Sequence, residues 1–524
     1  MSVEAVEAGR VVVSVPEMFA HRVRFDGDAP FVLTPDGRKR TYSDLHGAAS
    51  RLANALAHQG VVEGDVVAVY SWNSPSWIVA TLATWSLGAS IAACGGLTPP
   101  SEVQRRCDLV APRLVVTAAG LTPPVGLDSI AVDDEGACDV ALPGSGRSAH
   151  SPALDDQAAV FFTSGTTGES KPVVYTHQRF ADAPRMTAGA YASTAEFRPR
   201  TAPGGKGPAI SFNPFGHAAG MGRMVFRMFV GRTLLLVPKF DVAVLADLAI
   251  RYPIDTLQLT PAMIHSIAYS DLEITMPELK YVNSGTAPLP VATRERFETR
   301  FGVPVLQAYG STEGGVTALE RYDDALAGHR GPGSVGRVPA NMPFRIVDAN
   351  GDDVAEGREG ELIGRVEQQQ SPYLTSRGED AIPLDADGWY HTGDVGRLDE
   401  HGILYITGRI KEMMIVGGFN VYPGEVEDAL RRSPLVRDAV VVPKPDDRLG
   451  AIPVAGIVWE RASASGDLPA SLAAECRRTL EAYKIPRQWF TLDELPLTPN
   501  GKLDRLRASE LAGAALGAVT IESV

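Results

Sequence analysis

From Val66 to Ser101 the chain carries no charged residue, a stretch longer than the roughly 20 residues that cross a bilayer. Such a stretch has to be buried, in lipid or in protein. Asn73, Ser74, Pro75, Ser76, Ser86, Gly88 and Ser90 interrupt it, which makes a poor membrane span. The pattern fits a buried strand over Val66 to Tyr70, a turn, a helix over Ile78 to Leu87 and a second strand near Ala89 to Cys94, because buried parallel strands read as short apolar runs with helices between them.

The same rhythm recurs. Arg113 to Thr117, Ala158 to Phe162, Thr233 to Val237 and Val303 to Gln307 each read as a buried strand, and helical patterns fall at Val242 to Arg251 and Val291 to Phe301. This predicts an α/β fold with mostly parallel sheets flanked by helices, in which ligands bind beyond the carboxyl ends of the strands. From about Phe344 the texture changes to shorter β pieces at Phe344 to Val347, Glu361 to Val366 and Ile403 to Thr407, a β-rich subdomain. A tail then carries helix patterns at Gly424 to Leu430 and Pro469 to Tyr483, with strands at Asp438 to Val442 and Val454 to Trp459. The expected organisation is a large N-terminal domain over residues 1–409 and a small α+β domain over 410–524, within the usual range of domain sizes.

Composition sets outer bounds. With 524 residues, 44% apolar and 21% charged, the chain is an ordinary globular protein of three or so domains, or of one large and one small. Its 52 glycines and 38 prolines imply many tight turns. A net charge of −14 argues against a general nucleic-acid or anionic-membrane surface, while leaving room for a local cationic site for a phosphorylated ligand. Cys94, Cys107, Cys138 and Cys476 form no CxxC pair and no zinc-spaced cluster with histidine. The N-terminus has neither a basic start nor an unbroken apolar segment. No secretory signal and a reducing cytoplasm are the expectation.

Four segments carry residue types suited to chemistry. Thr163-Ser164-Gly165-Thr166-Thr167-Gly168-Glu169-Ser170-Lys171 follows an apolar strand; a Ser/Thr/Gly run there can wrap an anion with N–H groups and hydroxyls. It is not a Walker A loop, since Ser170 stands where that pattern needs glycine before Lys171. Gln307-Ala308-Tyr309-Gly310-Ser311-Thr312-Glu313-Gly314-Gly315 offers a ring, hydroxyls and a carboxylate at another strand end. Tyr390-His391-Thr392-Gly393-Asp394 puts an aspartate in a turn, with Gly408-Arg409-Ile410-Lys411 after it. Leu495-Pro496-Leu497-Thr498-Pro499-Asn500-Gly501-Lys502 presents one lysine on a proline-stiffened loop. Taken singly these are a turn, a capping glutamate, a turn aspartate and a solvated lysine.

Together and in this order, and with Asn420-Val421-Tyr422-Pro423-Gly424-Glu425-Val426-Glu427, they resemble the adenylate-forming superfamily: acyl-CoA synthetases, luciferases and the adenylation domains of peptide synthetases. The likeness runs from about Thr41 to Arg505. It implies a large domain with a small mobile C-terminal domain, and a two-step reaction in which a carboxylate attacks the α-phosphorus of ATP and the acyl-adenylate then passes to a thiol, that of coenzyme A. The acid, with a pKa of about 4 to 5, is already ionised at neutral pH and needs no general base. The obstacle is repulsion between two anions, so catalysis must come from positioning and from positive charge.

The resemblance also implies roles. Lys502 would bridge the substrate carboxylate and the α-phosphate, Glu313 would hold Mg²⁺ and Thr312 would contact the α-phosphate. Thr163, Ser164, Gly165, Thr166, Thr167, Gly168 and Lys171 would enclose the β- and γ-phosphates. Asp394 would accept hydrogen bonds from the ribose hydroxyls with Arg409 beside it, and Ser284, Gly285, Thr286, Ala287, Pro288, Tyr309 and Gly310 would frame the adenine. The small domain would swing about Lys411, withdrawing Lys502 and bringing Gly417 and Gly418 to a pantetheine tunnel. His217, within Phe212-Asn213-Pro214-Phe215-Gly216-His217-Ala218-Ala219-Gly220-Met221, would stand between the ATP and acid sites; a lone histidine in an apolar stretch reads equally as a satisfied core residue. One departure is visible: Pro172 follows Lys171 where glycine is usual, and Ser170 replaces a proline, which reduces the loop's N–H supply.

Amino-acid-activating relatives usually carry an aspartate where Phe212 begins its segment, so a free amino acid is disfavoured. Ala218, Ala219, Gly220, Gly222, Gly314 and Gly315 leave room for an aryl, arylacrylic or medium acyl group. No fused carrier domain is expected after Lys502, and Glu522-Ser523-Val524 is not read as a peroxisomal tripeptide. Alternative readings are a ligase passing the acyl group to a carrier protein or an amine, or activating an unusual oxyanion, and a silent nucleotide-binding protein.

Overall fold

The computed structural model describes residues 13–138, 151–164, 170–182, 207–311, 315–339, 342–365, 373–375, 378–380, 384–460, 468–498 and 502–516. The charge-free stretch folds as the strand Val66–Ser71, the helix Pro75–Trp85 and the strand Ser90–Gly95. Ser74 and Pro75 start the helix early, since proline is pre-set for the first helical turn, and all eleven helical residues are buried. A helix apolar all round belongs in a core rather than on a surface. Trp77 and Trp85 are fully buried, and the Trp85 indole N–H donates to the Ala158 carbonyl at 2.7 Å.

The two strands pair in parallel with each other; Val66–Ser71 also pairs in parallel with Leu114–Ala118, and Ser90–Gly95 with Gln157–Ser164. These lie in an eight-stranded sheet, and the first large core packs against it. Gln157–Ser164 pairs antiparallel with Ser170–Thr176, the strands on either side of Gly165 to Glu169 in the sequence. A four-stranded sheet of Pro30–Leu33, Lys39–Thr41, Ala209–Ser211 and Leu234–Leu236 sits beside it.

A nine-stranded sheet begins with parallel Thr256–Leu259, Tyr281–Ser284 and Val305–Ser311. It continues antiparallel through Gly315–Leu319, Ser334–Arg337, Ile403–Arg409, Tyr390–Leu398, Gly360–Gly364 and Phe344–Val347. The β-rich pieces expected as a subdomain are thus hydrogen-bonded onto the parallel strands. That continuity puts Val305–Ser311 and Tyr390–Leu398 in one sheet.

After Arg409 a single 3₁₀ turn, Ile410–Glu412, leads into a separate five-stranded sheet containing Met414–Val416, Phe419–Val421, Val436–Asp446, Gly450–Trp459 and Gln488–Thr491, with its own cores. The molecule is therefore a mixed α/β protein with a large N-terminal and a smaller C-terminal domain. The helices Val242–Arg251 and Val291–Phe301 have the predicted bounds. The helix expected from Pro469 to Tyr483 runs only over Leu468–Cys476. Beyond it Lys484 is drawn into ion pairs with Glu425 at 2.7 Å and Glu481 at 2.9 Å, and Tyr483 stacks on Phe419 at 4.5 Å; these contacts overrule the helical periodicity. None of the four cysteines is in a disulfide, and no described helix is long and apolar enough to cross a membrane.

Candidate active site

The best-defined group is Asp394. Gly393, at φ +71°, makes the turn that an ordinary side chain would resist, and the Thr392 hydroxyl accepts the Asp394 N–H at 3.0 Å. Asp394 sits directly opposite Arg409 in the antiparallel ladder of Tyr390–Leu398 and Ile403–Arg409. Arg409 Nε donates to Asp394 Oδ1 at 2.5 Å, and the Tyr309 hydroxyl donates to Asp394 Oδ2 at 2.6 Å. Burial and then the adjacent Asp394 push the Tyr309 phenol well above its usual range, so it remains a donor. Burial alone would weaken the Arg409 charge, but Asp394 outweighs it and holds the guanidinium protonated. The carboxylate is 3% exposed, yet each oxygen retains a lone pair for a further donor such as a diol. Tyr309, expected at an adenine, is thereby joined to the group expected at the ribose.

The loop after Tyr281–Ser284 lies against Val305–Ser311. Thr286 has φ +74°, unusual for a β-branched residue, and a Cβ on Gly285 would meet the Ala308 carbonyl at 3.3 Å. The buried Ser284 Oγ has no hydrogen-bond partner among the described residues. A strained loop with an unsatisfied hydroxyl at the carboxyl end of a parallel strand is where a polar ligand fits. Ala287 and Pro288 complete this loop before the helix Val291–Phe301.

His217 caps the helix Ala218–Val230 from an extended backbone, half-buried. Two close approaches fix it: a Cβ on Gly216 would fall 2.5 Å from Gly95 N, and one on Gly220 would fall 2.2 Å from the Pro214 carbonyl. Buried Asn73 clamps the same segment, donating to the Asn213 carbonyl at 2.8 Å and accepting the Phe215 N–H at 2.9 Å. Sequence reading passed over Asn73, whose only signal was a polar residue inside a charge-free run. It also passed over Arg223 and Arg227, spaced by four in the helix that follows His217.

Thr163 and Ser164 pair opposite Lys171 and Ser170; Lys171 is exposed, and Pro172 pairs opposite Phe162. Gly165, Thr166, Thr167, Gly168 and Glu169 lie outside the described residues, as do Thr312, Glu313 and Gly314. Ser311, next after Tyr309 and Gly310, pairs opposite Gly315. Among the described residues no group of three His, Cys, Asp or Glu is arranged to hold a metal.

In the smaller domain, Gly417 and Gly418 form a hairpin turn at φ +61° and +89° between Met414–Val416 and Phe419–Val421. A Cβ on Gly418 would meet nothing within 4 Å. Lys502 is exposed in a small turn closed by Thr498, whose N–H donates to the Lys502 carbonyl at 2.7 Å and whose hydroxyl accepts the Lys502 N–H at 3.2 Å. Arg505 pairs with Glu412 at 2.8 Å and Glu427 at 2.6 Å, fastening this loop beside Ile410–Glu412.

The chain matches the family model described as AMP-binding enzyme over residues 19–374, and that of the AMP-binding enzyme C-terminal domain over 425–502. It is 30% identical, over 94% of its own length and 97% of the relative's, to a CoA ligase of a methyl-dioxo-octahydroindenyl propanoyl group from Rhodococcus jostii strain RHA1. The structure superposes on ATP-bound MatB from Rhodopseudomonas palustris with a TM-score of 0.80 at 26% identity, covering 95% of this chain and 99% of that one. It superposes with a TM-score of 0.81 on the anthranilate CoA ligase AuaEII in complex with anthranoyl-AMP, at 23% identity and covering 96% and 98% of the two chains, a likeness of fold.

Proposed function

Because the chain belongs to the family of AMP-binding enzymes, we propose that it condenses a carboxylic acid with ATP and passes the acyl group to the thiol of coenzyme A. The observation that carries this reading is Asp394, a buried carboxylate held by Tyr309 and Arg409 with acceptor capacity left over, beside a strained loop at a strand's carboxyl end. That arrangement suits a ribose diol, with the adenine against Ser284, Gly285, Thr286, Ala287 and Pro288.

In the first step the acid's oxygen attacks the α-phosphorus, the α–β anhydride bond breaks and pyrophosphate leaves. Lys502 lowers the repulsion between the two anions, while Lys171 and the Ser/Thr/Gly run hold the departing phosphates. Thr312 contacts the α-phosphate, and Glu313 holds the Mg²⁺ that accompanies ATP. His217, capping a helix fixed by Asn73, separates the nucleotide from the acid. In the second step the domain beyond residue 409 turns about Lys411, and Gly417 and Gly418 line the approach of the thiol. The sulfur attacks the acyl carbon and AMP leaves. The bare glycine turn supports this, since a backbone without Cβ leaves a narrow channel. The acid is an aryl, arylacrylic or medium acyl acid, and the compartment is the cytoplasm.

Exchange of labelled pyrophosphate into ATP that requires an added acid tests the first step. The mass of the product with and without coenzyme A tests the second. Exchange without a thioester would transfer the reading to another acceptor, such as a carrier protein or an amine, and no exchange with any acid would defeat it.

A further inference from the structure

The helix Ala218–Val230 starts at His217 and buries Gly220, Met221, Met224, Val225 and Met228 in the core. Its other face carries Arg223 and Arg227, one turn apart and both half-buried. Residues four apart on a helix are neighbours, and like charges so placed repel. Among the described residues neither guanidinium has a carboxylate at ion-pair distance, whereas the next arginine along, Arg232, is closed by Asp255. Burial, with Arg232 and Arg223 nearby, pulls the Arg227 pKa down to about 10, against a smaller opposing pull from Tyr281 and Asp255. A desolvated cation without a counter-ion is costly, and one that persists on the helix that starts at His217 is poised for an anion.

Its place in the fold says which anion. Arg232 also bonds the Gly207 carbonyl at 3.1 Å, so the helix ends at the amino ends of the strands Ala209–Ser211 and Thr256–Leu259, while His217 lies at their carboxyl ends. Arg227 interacts electrostatically with Tyr281, the first residue of its strand. One helical turn back toward His217 is about 6 Å, close to the roughly 6.6 Å of two strand residues. On that spacing we place Arg223 about level with Gln258 and Asn283, which pair side by side and share a face with Tyr281. Gln258 Oε1 is buried without a partner among the described residues, and with the amide turned over its NH₂ would donate to an anion.

We infer that the acid activated here bears a second anionic group, a carboxylate or sulfonate, received by Arg223 with Arg227 adding to the positive potential one turn deeper. The inference rests on the reaction proposed above, since it takes the first carboxylate to react near His217. Arg223 lies six positions along from His217, about 9 Å along the axis, and the arginine side chain leans back toward the helix start. An aromatic ring or four to six methylenes would span that gap.

The test is acid-dependent pyrophosphate exchange by the full chain with matched pairs: adipate against hexanoate, pimelate against heptanoate, terephthalate against 4-methylbenzoate. The diacid is expected to show kcat/KM about tenfold or more above its monoacid, the scale of one charge-assisted contact. Arg223→Met should collapse that ratio and Arg223→Lys should keep part of it; being a ratio within one protein, it is insensitive to loss of folded enzyme. Arg227→Met, expected to lower the ratio less, supplies the comparison if Arg223→Met does not fold. Monoacids used as well as or better than diacids by the unmodified enzyme would overturn the inference and leave the acid-activating reaction standing, as would an unchanged ratio in Arg223→Met. Failure of every acid would instead remove the reaction itself.

Discussion

Asp394 and Lys502, both assigned to the proposed reaction, stand at opposite extremes of burial. Asp394 is buried in the nine-stranded sheet with both oxygens engaged by partners 85 and 15 residues away in sequence. Lys502 is exposed, in a turn closed by Thr498 and fastened through Arg505 to the 3₁₀ turn between the domains. Gly418 resembles Lys502, with open space around its turn. Groups that must hold one ligand throughout are cheapest to preorganise on strands, where packing fixes their rotamers. Groups that must arrive for one step and leave for the next belong on loops whose opening costs little.

The largest effect expected is at Lys502. Lys502→Ala should slow adenylate formation by roughly 100-fold or more, the scale of removing one preorganised stabiliser of developing charge, and should largely spare thioester formation from a presupplied adenylate. Parallel assays of the two half-reactions check this, and an equal loss in both would break the contrast with Asp394. Asp394→Asn removes the charge that Arg409 pairs with and one ribose acceptor; the KM for ATP should rise on the order of 10-fold, with thermal stability falling by about 1 to 3 kcal/mol. A variant with weakened ATP binding but an unchanged melting curve would show the network to be less tightly built than its geometry implies.

Gly418→Trp should slow thioester formation more than adenylation, because a side chain would occupy the channel, and its φ of +89° adds roughly 1 to 2 kcal/mol of strain visible in melting. Steady-state kinetics with coenzyme A varied would sharpen or remove the tunnel. The smallest change expected is at Thr286, where glycine relieves the left-handed backbone but has more freedom to lose on folding. A net gain of about 0.5 to 1 kcal/mol is expected together with weaker ATP binding, read by melts with and without nucleotide. Loss of stability there would mean the Thr286 side chain does more for the loop than its strain costs.

Much of the fold could be read from local pattern. The charge-free stretch gave strand, helix and strand in order, and the bounds of Val242–Arg251 follow from Asp241, whose carboxylate caps Ala243 and Val244. Where local pattern failed, distant contacts had won, as at Tyr483 and Lys484. The joining of the β-rich strands onto the parallel ones was likewise invisible, since hydrogen bonding along a sheet edge leaves no periodicity of its own. In the candidate site, motif order named Asp394, Tyr309 and Arg409 separately, but not their bonding. Arg223 and Arg227 were passed over because an arginine in an apolar helix looks alike whether or not a carboxylate faces it.

The amino-acid sequence by itself determined which segments are strands and helices and which chemical groups stand at their ends, because hydrophobic period, caps and glycine turns act within a few residues. Only the tertiary structure decided which of those groups meet. Charge pairing acts through space, so whether a carboxylate closes on an arginine, as Asp394 does on Arg409 and none of the described ones does on Arg223, depends on which distant strands and helices lie side by side.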